Sequence, residues 1–365
     1  MGAEVTIPTV SAGDWVRKIA QREGVQALRF TASLEFTERC NFKCVHCYIN
    51  QPAGAAAIRE RELSLTQWQG ILDQMEHAGV IWLLVTGGEP LLRPDFPEFY
   101  VYARKKGFHV TLFTNGTLVT PDIADLLARY PPWEAEITLY GATQETYEEI
   151  TGIPGSYQRC IRGIELLLAR GIELNLKTMV LTLNAHELPL MQAMAAQWGT
   201  KFRYDFNIYP RLDRDASPNE YRLTPEQAVA MECRDEQRVQ KLHEFCGQPW
   251  GIISIDKLFT CGSGLKTFHL DAFGGLYPCM MVRWLRYDLL KGSLEDATHN
   301  FLPQVRDIPV VNNHTCNHCD LRVLCQNCPG WAYLHTGDPE AIEPFQCELA
   351  KLRQQTHQVT INRVG

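Results

Sequence analysis

Between about residues 28 and 210, short apolar runs alternate with stretches in which apolar positions recur three and four residues apart. The runs 28–36, 81–86, 109–114, 134–139, 173–181 and 202–208 read as strands. The stretches 66–78, 95–106, 121–129, 157–170 and 186–198 read as helices, several of them opening on a capping or turn residue such as Ser64, Pro121 or Asn184. Six strands with helices between them and right-handed crossovers predict an α/β fold, a parallel sheet curling toward a barrel with six βα units, two fewer than a closed barrel needs.

After Pro210 the pattern changes. Residues 211–220 are charged and turn-rich, and a polar helix is expected from Thr224 to about Phe245. Beyond Trp250 there is little periodicity and much Cys, Gly and Pro, as expected where metal, more than a large apolar core, holds a small unit together. The expected division is an N-terminal segment 1–27, a partial barrel 28–210, a linker and bridging helix 211–250, and a small cysteine-rich unit 251–365.

Composition narrows the function classes. With 45% hydrophobic and 21% charged residues among 365, the chain is of globular type. Its 35 basic and 42 acidic residues give a net charge of −7, which leaves no basic excess to neutralise phosphates and argues against nucleic acid as a partner. No window approaches the roughly 18 apolar residues of a membrane span. The N-terminus lacks a basic region followed by an apolar segment, so no membrane association and a cytoplasmic location are expected.

The 13 cysteines are clustered. Cys40, Cys44 and Cys47 form one group, Cys261 and Cys279 a pair, and Cys316, Cys319, Cys325 and Cys328 a tight quartet followed by Cys347; Cys160, Cys233 and Cys246 are left over, Cys160 and Cys233 in helical patterns that suit ordinary buried or partly buried thiols. An odd count without an export signal disfavours a disulfide framework, and close spacing then points to metal. Cys40-x3-Cys44-x2-Cys47 directly follows the first strand, on a loop at the carboxyl end of the sheet where parallel α/β enzymes place their chemistry. A [4Fe–4S] cluster needs one ligand per iron, so three cysteines leave one iron open. Zinc held by three thiolates and a water fits the same residues.

The triad, with His46 before its third cysteine and Tyr48 after it, followed by Thr86-Gly87-Gly88-Glu89-Pro90 at the end of the second strand, resembles the radical S-adenosylmethionine (SAM) enzymes. The resemblance covers roughly residues 28–210. It implies that the open iron binds SAM through its amino and carboxylate groups, and that one electron from the cluster cleaves the sulfonium to a 5′-deoxyadenosyl radical. On physical grounds Gly87 and Gly88 let backbone approach a ligand closely, and Glu89 can accept a charge-assisted bond from an ammonium group. The resemblance adds Pro90, Asn115 at the end of the third strand and Thr138 on the fourth as contacts to SAM. Lys177 on the fifth strand, or Arg159 or Arg162 on the preceding helix, could reach its carboxylate.

The order Cys261, Gly274, Cys279, Cys316, Cys319, Cys325, Cys328, Cys347 closely resembles the SPASM extension of radical SAM enzymes, with x2 between the last two quartet cysteines where that extension usually has x3. The resemblance implies two auxiliary [4Fe–4S] clusters in a small iron–sulfur domain, the first on Cys261, Cys279 and Cys328, the second on Cys316, Cys319, Cys325 and Cys347. The first then has an open iron or a fourth ligand such as Cys246. A zinc ribbon over 316–328 is the alternative.

Most enzymes with this extension act on ribosomally made peptides or proteins, which implies a precursor peptide substrate, cross-linked through a thioether or carbon–carbon bond or otherwise oxidised. Only 39 residues precede Cys40, too few for the winged-helix recognition domain many such enzymes carry, so recognition of a precursor is expected from a separate protein or from the barrel itself, with flavodoxin or ferredoxin as electron donor. Met280 stands where sulfatase-maturing relatives have an Asp, which disfavours formylglycine formation unless Asp271 or Asp205 substitutes. Residues 206–213 would face the mouth of the site. A small-molecule oxidase or decarboxylase acting on a haem precursor, and a metal-stabilised binding protein without catalysis, are the other readings.

Overall fold

A computed structural model describes residues 31–49, 51–247, 256–312, 316, 319–325 and 328–357. The N-terminal segment 1–27, the first three residues of the first expected strand and the surroundings of Trp250 lie outside them. Nine strands form the main sheet: β1 Thr31–Thr37, β2 Trp82–Gly87, β3 His109–Thr114, β4 Glu134–Thr138, β5 Leu174–Met179, β6 Lys201–Asp205, β7 Thr267–Leu270, β8 Gly275–Tyr277 and β9 Tyr287–Asp288. Their order is β9-β8-β7-β1-β2-β3-β4-β5-β6. Strands β1 to β6 run in sequence order and each pairs parallel with the next, in the manner of a partial barrel.

The strands of this run alternate strictly. Ala32, Leu34 and Phe36 of β1 are fully buried on the side where the helices lie. There Phe36 stacks on Phe99 at 4.2 Å and meets Trp68 and Phe96, side chains of helices α1 (Leu65–His77) and α2 (Phe96–Lys105). The intervening residues Ser33, Glu35 and Thr37 point to the other face. Register carries that face across the sheet, from Glu35 beside Thr86 to Lys177 beside Arg203 and Met179 beside Asp205. One face of the sheet is thus an apolar layer and the other is studded with polar and charged side chains, which is where a polar ligand can be held.

Helices α3 (Pro121–Arg129), α4 (Gln144–Thr151), α5 (Ser156–Leu168) and α6 (Leu188–Gln197) follow the sequence signals, with two differences. Ser64 caps α1 through a reciprocal box with Gln67, and Thr120 caps α3 ahead of Pro121. Asn184, expected as a cap, instead accepts from Leu181 N and donates to the Tyr140 and Met179 carbonyls, tying two strand ends together. The second difference is α4, which the periodicity did not single out. The bridging helix expected from Thr224 is two helices, α7 (Pro225–Glu232) and α8 (Glu236–Gly247). Asp235 breaks it by accepting from Arg238 N, a cap for the second piece. Cys233 sits at that break and is exposed, unlike Cys160, which is fully buried in α5.

The cysteine-rich part shares the main sheet. β7 pairs parallel with β1 from Thr31↔Thr267 to Leu34↔Leu270, and β8 and β9 extend it antiparallel. Helices α9 (Pro329–Thr336) and α10 (Pro344–His357) complete the described fold. No helix among the described residues is long and apolar enough to cross a membrane.

Candidate active site

The first cysteine group lies where β1 ends, beside the two-residue ladder Arg39–Cys40 with Gln51–Pro52. The loop is pinned at several points. Lys43 N and Val45 N donate to Thr151 O and Ile150 O at the end of α4, Cys47 N closes a turn on Cys44 O, and Arg211 Nη1 donates to Cys47 O at 2.8 Å. Cys40 accepts from Phe42 N at 3.4 Å, and Asn115 Nδ2 lies 3.9 Å from its sulfur.

Burial pushes the Cys40 thiol up to about 12, with the nearby Glu89 adding to the effect, and burial drives Cys44 well above its ordinary value, with Cys47 and Cys40 next in order. Three thiols close enough to oppose one another's ionisation are a poor set of free anions and a good set of ligands, since a bound metal centre removes the proton. Among the described residues no three His, Cys, Asp or Glu side chains converge on one ion. His46, between the cysteines, packs edge-on against Tyr140 at 5.1 Å, and its Nδ1 is buried without a partner. Burial and then the Arg211 charge bring its pKa down to about 4, so it is a neutral ring.

Thr86-Gly87-Gly88-Glu89-Pro90 runs directly against this loop. Gly88 N donates to Thr37 O at 2.7 Å and Glu89 N to Arg39 O at 2.9 Å. A Cβ at Gly87, where φ is +132°, would come 2.1 Å from Thr37 O, and one at Gly88 2.1 Å from Arg39 O. The two glycines therefore admit the backbone that leads into the cysteine loop. Glu89 is fully buried and accepts from Leu91 N, Thr114 Oγ1 and Asn115 N at 2.7–3.0 Å. Burial raises its pKa to about 7 against the pull of those donors. Asn115 in turn holds Asn41 at 2.8 Å and Thr117 at 2.6 Å, so the ends of β1, β2 and β3 form one polar unit around Cys40.

The remaining expected ligands fall into two further groups. Burial raises the thiol of Cys279, with Cys261 adding to it, and burial likewise raises Cys328, on which Cys279 and Cys261 both act. Cys316, Cys319, Cys325 and Cys347 line one cavity of about 100 Å³ together with Lys257, Arg322 and Lys351. Cys246 is buried in an apolar group with Leu324 and Ala350, against which Leu242, Leu321 and Cys325 pack, and Arg353 is the charge that acts on it.

Residues 34–193 match the family model described as the Radical SAM superfamily. The chain carries a radical SAM domain. It is 26% identical over 332 residues to AdoMet-dependent heme synthase of Methanosarcina barkeri, covering 85% of this chain and 94% of that one. It is 28% identical over 327 residues to mycofactocin maturase MftC of Mycobacterium ulcerans, covering 85% and 87%. In fold it resembles Streptococcus suis SuiB bound to the precursor peptide SuiA, with a TM-score of 0.66 at 14% identity over 95% of this chain and 84% of SuiB. The superfamily is one whose domain binds SAM at a [4Fe–4S] cluster.

Within the radical SAM domain the other expected SAM contacts are already engaged. Lys177 Nζ is 2.7 Å from Glu136 and 3.1 Å from the centre of the Phe113 ring; burial lowers its pKa to about 8. Thr138 stands beside it in register, half-buried. Arg159 is turned back on Pro154 O. Of the carboxylates considered as substitutes for the Asp that Met280 replaces, Asp271 accepts from Phe273 N, Gly275 N and Tyr277 Oη, and Asp205 from Phe206 N and Asn207 N. Both close turns. Beyond β6, Tyr209 is half-buried and stacks on Trp331 at 5.2 Å, and burial, then Asp205, Cys328 and Cys279, raise its pKa. Glu35, Arg283 and Asn41 escaped the sequence reading, and only Glu35, a charge inside a strand of apolar alternation, left a signal there; Arg211 lies within the stretch 206–213 expected at the mouth of the site.

Proposed function

We propose that this enzyme cleaves SAM reductively and takes a hydrogen atom from an unactivated C–H of a ribosomally made peptide, forming a thioether or carbon–carbon cross-link or a related oxidation. The observation that carries the reading is the gathering of ten cysteines into three groups, buried or half-buried but for the exposed Cys261, one of them set into the sheet end beside Gly87, Gly88 and Glu89. Cys40, Cys44 and Cys47 hold the SAM-binding cluster in this reading. Cys261, Cys279 and Cys328 hold a first auxiliary cluster, and Cys316, Cys319, Cys325 and Cys347 a second. The clusters supply single electrons; the protein's part is to hold, orient and bury. His46 and Tyr48 flank the third ligand, while Pro90, Asn115 and Thr138 bound the place for SAM at the strand ends. Lys177 provides a positive charge on the inner face. The partial barrel of six βα units is assigned to 28–210, a linker with bridging helices to 211–250, and the auxiliary-cluster part to 251–365. A ferredoxin or flavodoxin supplies the electron, and a separate protein presents the precursor.

Peptide modification is supported by the likeness to MftC over most of both chains and to the SuiB fold with its precursor peptide. A second reading, oxidation or decarboxylation of a haem precursor, is supported by the likeness to AdoMet-dependent heme synthase over nearly its whole length. Iron and sulfide analysis of anaerobic protein is expected to give about twelve irons per chain for three clusters. Reduced enzyme with SAM is then offered either a short peptide encoded beside the gene or a haem-precursor porphyrin. Loss of two hydrogens from the peptide, read by mass spectrometry, supports the first reading, and porphyrin decarboxylation with an unchanged peptide replaces it with the second.

A further inference from the structure

Glu35 lies on β1, on the inner face of the sheet, and is completely buried. Its Oε1 accepts from Tyr48 Oη at 3.1 Å and from Arg283 Nη2 at 2.6 Å. The same guanidinium donates from Nε to Met280 O at 2.8 Å. Tyr48 follows Cys47 in the chain and Met280 follows Cys279. A continuous path of one hydroxyl, one carboxylate and one guanidinium therefore joins the first cysteine loop to the Cys279 loop, across 248 residues of sequence between Glu35 and Arg283.

The neighbouring groups hold this path rigid. Arg283 Nη2 is also 3.2 Å from His269 Nε2, which itself lies 3.4 Å from Glu35 Oε1. His269 is buried, and its Nδ1 is 2.7 Å from Ser33 Oγ. Arg283 further lies over the Tyr277 ring at 4.8 Å. Thus β1, β7 and β8 each contribute one partner to the arginine's surroundings.

Stability is a weak reason for such an arrangement. An ion pair withdrawn from water recovers its desolvation cost poorly, and apolar side chains of similar volume often do as well or better. Glu35 Oε2 remains buried without a partner, so the carboxylate is not even fully satisfied. What the pair provides that apolar packing does not is directional attachment, since the planar fork fixes distance and angle at both ends.

We infer that the Glu35–Arg283 pair is a positioning strut that fixes the Cys261, Cys279 and Cys328 group in distance and orientation against the Cys40, Cys44 and Cys47 loop. The inference rests on the reading that both groups hold clusters. Neither residue ligates iron; each acts on the spacing of the groups that do. Glu35→Gln removes the charge, and Arg283→Lys keeps it while losing the two-ended fork.

The test uses anaerobic, dithionite-reduced holoenzyme of the parent, Glu35→Gln, Arg283→Lys and the double variant. Iron content is measured alongside the dipolar interaction between the reduced clusters by electron paramagnetic resonance. The expected result is unchanged iron in all four, a single well-defined interaction in the parent, and a broadened, weakened one in each single variant. The double variant should lose no more than either single, because the two residues act as a unit. Unchanged spectra in both single variants overturn the strut, as does a double variant whose loss is the sum of the two. Loss of iron from both single variants also overturns it, by making the pair a requirement for folding. A parent enzyme with iron for one cluster and no interaction would instead overturn the cluster reading itself.

Discussion

Strands β1 to β6 and the region from residue 256 onward belong to one sheet, yet different forces hold them. The first carries a continuous buried layer in which Leu34, Phe36, Leu83, Val85, Val110, Leu112 and Ile137 meet the helices. The second adds Phe268, Leu270, Leu276, Leu302 and Leu349 to that layer, but otherwise buries two small apolar groups, one around Leu324 and Ala350 and one around Phe259, Val282 and Val305, and carries seven cysteines. A region with an extensive apolar layer is stable by burial, whereas one with small apolar groups depends on ligands and ion pairs. Chemistry that needs a rigid floor and an exchangeable electron store can use both.

The largest expected effect comes from stripping iron with a chelator. Ligand binding to a preformed site is folding free energy, so the apo form should lose protease resistance over 256–357 while 31–205 stays protected; limited trypsinolysis with mass mapping reads this. Equal cleavage in both regions would erase the contrast. Next is Phe36→Ala, which empties a stacked aromatic site and should cost about 3–5 kcal/mol, measured by denaturant unfolding followed through the helical signal. Gly87→Ala should follow. A Cβ there meets Thr37 O at 2.1 Å in a left-handed backbone, so the end of β2 must separate from the cysteine loop, and iron retention at the first group should fall before the helical signal does.

The smallest effect is a pH dependence. Glu89 has its pKa raised from 4.5 to about 7 by burial, so its contribution to stability is full below about 4.5 and is lost as pH rises through about 7. Glu89→Gln should flatten the stability profile across that window. The same slope in both proteins would place the titration elsewhere.

Much of the first region was legible because periodicity and burial agree there. The strands expected at 81–86 and 109–114 and the helix at 121–129 match β2, β3 and α3 closely, since each has a clear apolar face and a cap or proline at its start. Helix α4 was not legible: its sequence Gln144–Thr151 is mostly polar, and it is held by the αL cap at Gly152 and by Glu187 reaching Thr143 and Thr146. Strands β7 to β9 were not legible either, being two to four residues long and joined to the sheet through the long-range pairing of β7 with β1, which no local pattern records. Of the site, the cysteines and Gly87, Gly88 and Glu89 stood out by spacing. Arg283 did not, because its role comes from a partner 248 positions away.

Assignment of SAM cleavage to the thiols of Cys40, Cys44 and Cys47, and not to the C-terminal thiols, is tested by 5′-deoxyadenosine released from SAM by anaerobic, dithionite-reduced protein, comparing the parent with Cys44→Ala and Cys325→Ala. The prediction is release by the parent, none by Cys44→Ala, and substantial release by Cys325→Ala. No release from an iron-replete parent, or equal loss in the two variants, would contradict it.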